Sequence, residues 1–149
     1  MNQIFVKRAD LTDIEVLVPL FDSYREFYGR NSDLEAARAF LTARLENNES
    51  VIFIARESET PVGFTQLYPS FSSVSLAPTF ILNDLFVTLE SRKQGVGSLL
   101  LSAAVDYAKT RNAIRLTLST EVTNETAQAL YESTGWIRTE QYYTYDFTV

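Results

Sequence analysis

The stretch from Phe86 to Ala104 changes from an extended apolar run to a helical pattern at two closely spaced glycines, Gly95 and Gly97. A helix N-terminus presents unpaired backbone N–H groups and a partial positive charge, so it can bind phosphate without a cationic side chain. Glycine in such a turn lets a ligand approach the main chain closely. The turn therefore predicts a site for a phosphate-bearing molecule. The alternative is a strand–helix turn that holds no ligand.

Two nucleotide-binding motifs do not fit this turn. An ATP-binding P-loop needs Lys and then Ser or Thr after its last glycine, whereas "GVGSLL" stands here. A dinucleotide fingerprint needs Gly or Ala three residues after Gly97, and Leu100 occupies that position. The pattern that remains is Arg92-x-x-Gly95-x-Gly97, placed between a predicted strand and a long predicted helix.

This pattern resembles motif A of the GNAT superfamily of acyl-CoA-dependent N-acetyltransferases, Arg/Gln-x-x-Gly-x-Gly/Ala. Lys93 stands where the family commonly has a further glycine. One helix and one strand later, a second run is similar to the family's motif B, Asn-x-x-Ala-x-x-hydrophobic-Tyr-x-x-x-Gly-aromatic. Its residues here are Asn124, Ala127, Leu130, Tyr131, Gly135 and Trp136. On these two motifs the chain is identified as a member of the family.

The resemblance implies acetyl-CoA as the co-substrate and no metal. Backbone amides from Gln94 to Ser98 would hold the pyrophosphate, and the strand before them would offer backbone groups to the pantetheine arm. Arg92 would reach a phosphate or remain a surface charge, and Asn124 would hold the ligand or a water near the same arm. The implied coenzyme-binding residues are Phe86, Val87, Arg92, Gln94, Gly95, Val96, Gly97, Ser98 and Asn124.

The resemblance also places Tyr131 at the thioester sulfur, where a phenol with a pKa near 10 can protonate the departing thiolate. The other interpretation of Tyr131 is a packed aromatic on its helix. A lysine-like amine with a pKa of ~10.4 costs roughly 4–5 kcal/mol to deprotonate at neutral pH. Asp84 is the candidate base or amine ligand, with Glu121 as second choice. Because strand side chains alternate, Asn83 and Asp84 are expected on opposite faces, with only one in a given cleft.

The acceptor is not identified by these motifs. The central strand also looks like the diamine acetyltransferase branch, which tends to carry two adjacent acids where this chain has Asn83-Asp84. In the family the acceptor often lies between the first helices and the middle strands. Arg25 would suit an acceptor that also carries a carboxylate, such as an amino acid. The candidate acceptor contacts are Tyr24, Arg25, Tyr28, Gln66, Tyr68 and Ser70.

Composition limits the chemistry further. The 149 residues include no cysteine and no histidine, which removes a thiol nucleophile and the preferred zinc ligands. A direct transfer in a ternary complex is therefore expected rather than an acyl-enzyme. The formal charge of −6 argues against nucleic acid and anionic membrane as partners. With no apolar run of 18 residues, we expect a cytoplasmic protein.

The apolar periodicities predict the order β-α-α-β-β-β-α-β-α-β(β) in a single α/β (α+β) domain over residues 1–149. The expected sheet is mixed, mostly antiparallel and twisted, with helices flanking it. Its strands at 80–88 and 114–120 should be parallel or splayed neighbours, since a strand–helix–strand crossover joins them. Residues 136–149 are expected to form one or two final strands. The aromatic segment "YYTYDF" suits pairing across a homodimer.

The sequence thus predicts an acetyltransferase that moves an acetyl group from acetyl-CoA to a primary amine of a small molecule such as a polyamine or amino acid. Two alternatives stay open: a non-catalytic acyl-CoA-binding or sensing domain, and a protein lysine or N-terminal acetyltransferase. A third alternative is a strand–helix protein that binds no ligand.

Overall fold

A computed structural model describes residues 3–149 of the chain. Two 3-10 turns, Leu11–Asp13 and Leu89–Ser91, precede the first and third helices. The strands and helices are β1 (Ile4–Arg8), α1 (Ile14–Phe27), α2 (Leu34–Glu46), β2 (Val51–Glu57), β3 (Thr60–Ser72), β4 (Ala77–Val87), α3 (Val96–Thr110), β5 (Leu116–Thr117) and α4 (Glu125–Ser133). Up to α4 this is the predicted order.

One five-stranded sheet has its strands in the order β1-β2-β3-β4-β5. The first four strands pair antiparallel, while β4 and β5 are parallel. The parallel pair is short, joining Phe80 to Leu116 and Ile81 to Thr117, and β4 continues to Val87 without β5 beside it. The predicted fold class is confirmed. The strand predicted at 114–120 was too long, because only Leu116–Thr117 finds a pairing partner.

The β3–β4 hairpin contains two prolines. Pro69 and Pro78 both lie inside a ladder that runs to Ser72 and Ala77. A proline breaks a central strand because it has no N–H to donate. Here β2 pairs with β3 only as far as Leu67, so the missing N–H of Pro69 need not cost a ladder bond.

Helices cover both faces of the sheet in the unit that ends at Ser119. Alternate residues of β2 show this: Ile52 and Ile54 join the cluster around α1 and α2, while Phe53 packs on Tyr107 of α3 with ring centroids 6.0 Å apart. Burial on both faces explains why β2 reads as a continuous apolar run. The core of the α1 face includes Ile14, Leu17, Val18, Phe21, Leu41, Ile52, Ile54 and Phe64.

Short polar side chains begin the 3-10 turn before α1 and the helix α2. Asp10 accepts from the backbone N–H of Thr12 at 2.8 Å, and the Asp13 carboxylate accepts from the N–H of Asp10 at 2.9 Å. Asp33 caps α2 by accepting from the N–H of Ala36 at 3.0 Å. Each cap satisfies a backbone donor that the first helical turn leaves unpaired. Within residues 3–149, no helix has the length and apolar character that crossing a membrane requires.

Residues 120–149 form a second compact unit. It contains α4, with Gly135 in the left-handed conformation at φ +100° just after the helix. The strands predicted in 136–149 are wrong for this structure, since no strand is present there and Tyr142, Tyr143, Tyr145 and Phe147 are exposed. Alternating aromatics indicate a preference for extended backbone, but a strand also needs a partner to pair with. The homodimer stays a prediction.

Candidate active site

The turn between β4 and α3 contains two residues in left-handed conformations. After the 3-10 turn at Leu89–Ser91, Lys93 and Gly95 have φ +63° and +83°. Gly95 is the N-cap residue of α3, and no side chain caps the helix there. Left-handed residues in a turn can direct N–H groups into a concavity that binds an anion. Gly95, which the sequence predicts to lie in a phosphate site, therefore has a conformation that residues with a Cβ adopt only with strain.

The backbone amides of this turn are unpaired. In the described part of the chain, none of the N–H groups from Lys93 to Ser98 donates a hydrogen bond; the first amide of the helix to do so belongs to Leu99, which reaches the Gly95 carbonyl at 3.1 Å. Unpaired amides and the helix dipole together favour a negatively charged ligand. We call residues 93–98 the amide cradle. It covers the predicted amides of Gln94, Gly95, Val96, Gly97 and Ser98.

The Arg92 side chain binds the protein's own backbone. Its Nε donates to the Val87 carbonyl at 2.9 Å, and its guanidinium lies over the rings of Phe27 and Phe86, 5.1 and 5.9 Å from their centroids. Cation–π contacts of this kind stabilise a half-buried arginine. Arg92 thus contacts both the end of β4 and the end of α1. Its contact with a phosphate stays a prediction.

A glycine that sequence reasoning overlooked sets the distance between strand and helix. A Cβ at Gly63 of β3 would lie 2.7 Å from the Phe86 carbonyl oxygen, 3.3 Å from Leu100 and 3.4 Å from Val96. No side chain fits there, so β4 and α3 approach β3 closely. Gly63 therefore supports the backbone of Phe86, which is a predicted contact of the pantetheine arm. In the sequence, only the isolated position of Gly63 within a strand pattern indicated a close approach of the backbone.

A pocket of about 420 Å³ opens between α1, α2 and the β3–β4 pair. Its volume lies in the range of small-molecule sites. Four of its nine lining residues are aromatic, and Phe21 stacks on Phe40 with centroids 5.8 Å apart. The lining residues are Phe21, Tyr24, Arg25, Ala36, Ala37, Phe40, Tyr68, Asn83 and Asp84.

Asp84 is the buried carboxylate of this pocket, with only 3% of its surface exposed. Its Oδ2 accepts from Gln66 Nε2 at 2.5 Å, and its Oδ1 accepts from Asn83 Nδ2 at 2.9 Å. Gln66 is fully buried, and its Oε1 has no hydrogen-bond partner among the described residues. Two donors hold the carboxylate in a fixed orientation, but neither neutralises its charge. Such a group favours a cation in the pocket.

A β-bulge explains why two adjacent residues share one pocket. The ladder pairs Gln66 with Asp84 and then Leu67 with Leu82, so Asn83 is the extra residue of β4. The expectation that strand alternation would admit only one of Asn83 and Asp84 was wrong. A bulge breaks the two-residue period locally and redirects side chains, which no count along a single strand reveals.

Two tyrosines beside Asp84 have a raised pKa. Burial and the Asp84 carboxylate raise the pKa of Tyr24 well above its ordinary range, and the same causes raise the pKa of Tyr68 to about 12. Tyr24 Oη also lies 3.5 Å from the Asn83 carbonyl oxygen. Because both phenols stay neutral at physiological pH, neither can remove a proton from a substrate. The carboxylate is the only acceptor of that kind among the lining residues.

The structure brings together three of the predicted acceptor contacts, Tyr24, Arg25 and Tyr68. Gln66 lies beneath Asp84 and orients it. Tyr28 is outside the lining, packed edge-on against Tyr24 at 5.1 Å, and Ser70 is also outside it. The residues that sequence reasoning did not assign to the pocket are Phe21, Ala36, Ala37 and Phe40. Helical periodicity marked most of them as core, and periodicity cannot separate a core face from a pocket wall.

The remaining candidates lie in the second unit. Asn124 caps α4, its side-chain oxygen accepting from the Ala127 N–H at 3.1 Å. Tyr131 is half-buried on that helix, with its ring centroid 6.3 Å from that of Trp136. Glu121 is exposed, and its carbonyl accepts from the N–H of Asn124 at 3.0 Å. The motif B spacing therefore produces a capped helix with one aromatic pair. The chemical roles of the three residues stay predictions.

Comparison with known proteins identifies the class of this protein as an acetyltransferase. Residues 17–136 match the model of the acetyltransferase (GNAT) family, and the chain belongs to that family. It is 54% identical over 131 residues to an uncharacterized N-acetyltransferase of Bacillus subtilis, covering 88% of each chain.

Two solved structures share the fold. The crystal structure of a probable acetyltransferase superposes with a TM-score of 0.91 and 44% identity, covering 97% of both chains. An aminoglycoside N-acetyltransferase in complex with CoA superposes with a TM-score of 0.83 over 100% of this chain and 97% of its own, at 18% identity. At that identity the second likeness concerns the fold alone. The predictions of the family and of an acetyltransferase are confirmed.

Proposed function

We propose that the protein transfers an acetyl group from acetyl-CoA directly to a primary amine of a small molecule in a ternary complex. The observation that carries this proposal is the buried Asp84 carboxylate, oriented by Gln66 and Asn83 in an aromatic-walled pocket. A carboxylate among aromatic rings attracts an ammonium group through charge and through cation–π contact. The volume of about 420 Å³ favours a small molecule over a folded protein partner.

The amide cradle would hold the pyrophosphate of the coenzyme. The six amides of the cradle have no hydrogen-bond partner within residues 3–149. Together with the start of α3 they would supply the hydrogen bonds and positive potential that two phosphates need. The backbone of Phe86 and Val87 would bind the pantetheine arm, since β5 pairs with β4 only at Phe80 and Ile81 and leaves that part of the strand edge open. Acetyl-CoA supplies the activated acetyl thioester. GNAT acetyltransferases use this donor, and the relative solved with CoA supports the same choice here.

Asp84 would bind the acceptor ammonium and take its proton, directly or through water, as the nitrogen attacks. The phenols of Tyr24 and Tyr68 would remain protonated and donate hydrogen bonds beside it. Tyr131 would return a proton to the leaving thiolate, as its motif implies. With no cysteine or histidine in the chain, an acyl-enzyme has no evident nucleophile, so the amine receives the acetyl group in one step.

The test compares turnover and coenzyme binding in one set of variants. Acetyl-CoA consumption across polyamines, amino acids, aminoglycosides and peptides identifies the acceptor class. Asp84→Asn should lower kcat/KM by about 10²–10⁴, the usual contribution of a general base. Tyr131→Phe should lower kcat and leave CoA affinity nearly intact. The matched control is Asp106→Asn, which alters an exposed carboxylate on α3.

CoA at 100 times its Kd should add ~2.7 kcal/mol to the stability of the wild type and of each variant. Stabilisation without acetylation of any amine in the panel would favour a sensing domain. If CoA does not stabilise the protein and no amine is acetylated, a protein that binds no ligand is favoured.

A further inference from the structure

The pocket contains two charged side chains of opposite sign. Asp84 lies in β4 and Arg25 in the last turn of α1, and the other lining residues are aromatic, alanine or amide. A positive side chain at a helix C-terminus is favourable by itself, which explains the position of Arg25 along α1. It does not explain why the side chain lines the same pocket as the carboxylate.

Arg25 makes no ion pair with a carboxylate among the described residues. Across residues 3–149, no carboxylate lies within ion-pair distance of its guanidinium, although Arg38, Arg44 and Arg56 each have one. Asp22, one turn earlier, is engaged elsewhere, since it accepts from Ser32 Oγ at 2.6 Å and from the Asp33 N–H at 2.8 Å. Asp22 still interacts with Arg25 through longer-range charge. The half-buried guanidinium nevertheless makes no ion pair among the described residues, and it lines the pocket. Guanidinium groups bind carboxylates through two parallel hydrogen bonds.

We propose that the natural acceptor is an amine that also carries a carboxylate, with its ammonium at Asp84, its carboxylate at Arg25 and its apolar body between the aromatic walls. This inference rests on the proposed function and narrows its substrate class. A ligand of this kind matches both charges of the pocket. A diamine would satisfy Asp84 and place its second positive charge in a pocket that already contains a guanidinium, so the pocket disfavours polyamines.

The experiment uses pairs of amines that differ only in a carboxylate: tyrosine and tyramine, lysine and cadaverine, 6-aminohexanoate and hexylamine. In at least one pair, the carboxylate-bearing amine should have a kcat/KM about tenfold higher or more, the ratio expected from one charge-assisted hydrogen bond. Arg25→Ala should bring this ratio close to one, mainly by raising KM for the carboxylate-bearing member. Arg25→Lys, which keeps the charge, should retain part of the preference.

Arg30→Ala is the matched control, because Arg30 is exposed in the loop after α1 and is not a lining residue. It should leave the ratio unchanged. Calorimetric binding of each amine to the CoA-saturated protein gives a second readout that does not need turnover. Thermal stabilisation of Arg25→Ala by CoA shows that the variant is folded.

Several results would overturn the inference: equal kcat/KM within every pair, a preference for cadaverine over lysine, or a ratio that Arg25→Ala leaves unchanged. Failure of every carboxylate-bearing amine both to bind and to react would do the same. If plain amines are then acetylated well, the proposed function stands and only its narrowing falls. If no amine reacts and CoA does not stabilise the protein, the proposed function itself fails.

Discussion

Gln66 Nε2 donates to Asp84 Oδ2 at 2.5 Å, joining two buried side chains of neighbouring strands at the β-bulge. The bond fixes Oδ2 of the carboxylate, while Oδ1 accepts a hydrogen bond from Asn83. Because Gln66 does not line the pocket, any effect of Gln66 on a bound acceptor would pass through Asp84. Gln66 is thus a positioning residue of the candidate site, and its buried Oε1 has no partner among the described residues.

Gln66→Leu should lower the free energy of unfolding by about 1–3 kcal/mol, since it leaves a buried carboxylate with one donor fewer. Asp84→Ala should cost a similar amount, because it leaves the buried amide without its acceptor. The double variant should cost less than the sum, as both partners are removed together. Urea unfolding of the four proteins measures this coupling. Strict additivity would mean that the bond does not contribute to stability.

Gly95→Ala should weaken CoA binding and cost about 1 kcal/mol of stability, since φ +83° strains any residue with a Cβ. No atom would contact the new methyl group, so the cost is one of backbone conformation. Gly29→Ala is the matched control, because Gly29 has φ +86° and equally open surroundings outside the amide cradle. Both variants should lose similar stability in urea unfolding, and only Gly95→Ala should raise the Kd for CoA measured by calorimetry. Equal Kd values would remove the cradle from coenzyme binding.

Gly63→Ala should lower the free energy of unfolding by about 1–3 kcal/mol, because its Cβ would overlap the Phe86 carbonyl at 2.7 Å. The clash involves backbone, so a change of side-chain rotamer cannot relieve it. We also expect a higher Kd for CoA, since the carbonyl of Phe86 must move. Urea unfolding and calorimetry measure the two effects. Wild-type stability in this variant would show that the strand accommodates the methyl group.

Asp22 should make stability depend on pH in the acid range. Hydrogen bonds from Ser32 and the Asp33 backbone hold the pKa of Asp22 below its ordinary value of 3.8. The unfolded chain therefore binds the proton first as pH falls, so the contribution of Asp22 is complete above pH 3.8 and is lost as pH drops through the lowered value.

Asp22→Asn should cost about 1–3 kcal/mol at pH 7 and progressively less below pH 4, measured by urea unfolding at several pH values. Glu26→Gln changes an exposed acid of the same helix. It should leave the free energy of unfolding almost unchanged at pH 7 and below pH 4. A constant difference between Asp22→Asn and wild type from pH 7 to pH 3 would refute the assignment.

Features that depend on neighbouring residues in the chain could be predicted from the sequence. The caps at Asp10 and Asp33 and the glycine turn at Gly95 follow from local backbone chemistry. Asp84 could be singled out because an acid in an apolar central strand is unusual, and the structure places it in the pocket. Its role as a base stays a prediction. The prediction of strands in 136–149 was wrong because it relied on alternation alone, without a pairing partner.

The amino-acid sequence by itself determined the family, the amide cradle and the absence of a cysteine or histidine nucleophile, since each follows from residue type and spacing. The tertiary structure alone decided that Asn83 and Asp84 share a pocket and that Gln66 orients the carboxylate. It also decided that Arg25 lies there without an ion pair among the described residues. These relations join residues 18 or more positions apart or depend on a bulge between strands. Register and bulges arise from the packing of the whole sheet, and a pattern along one strand does not encode them.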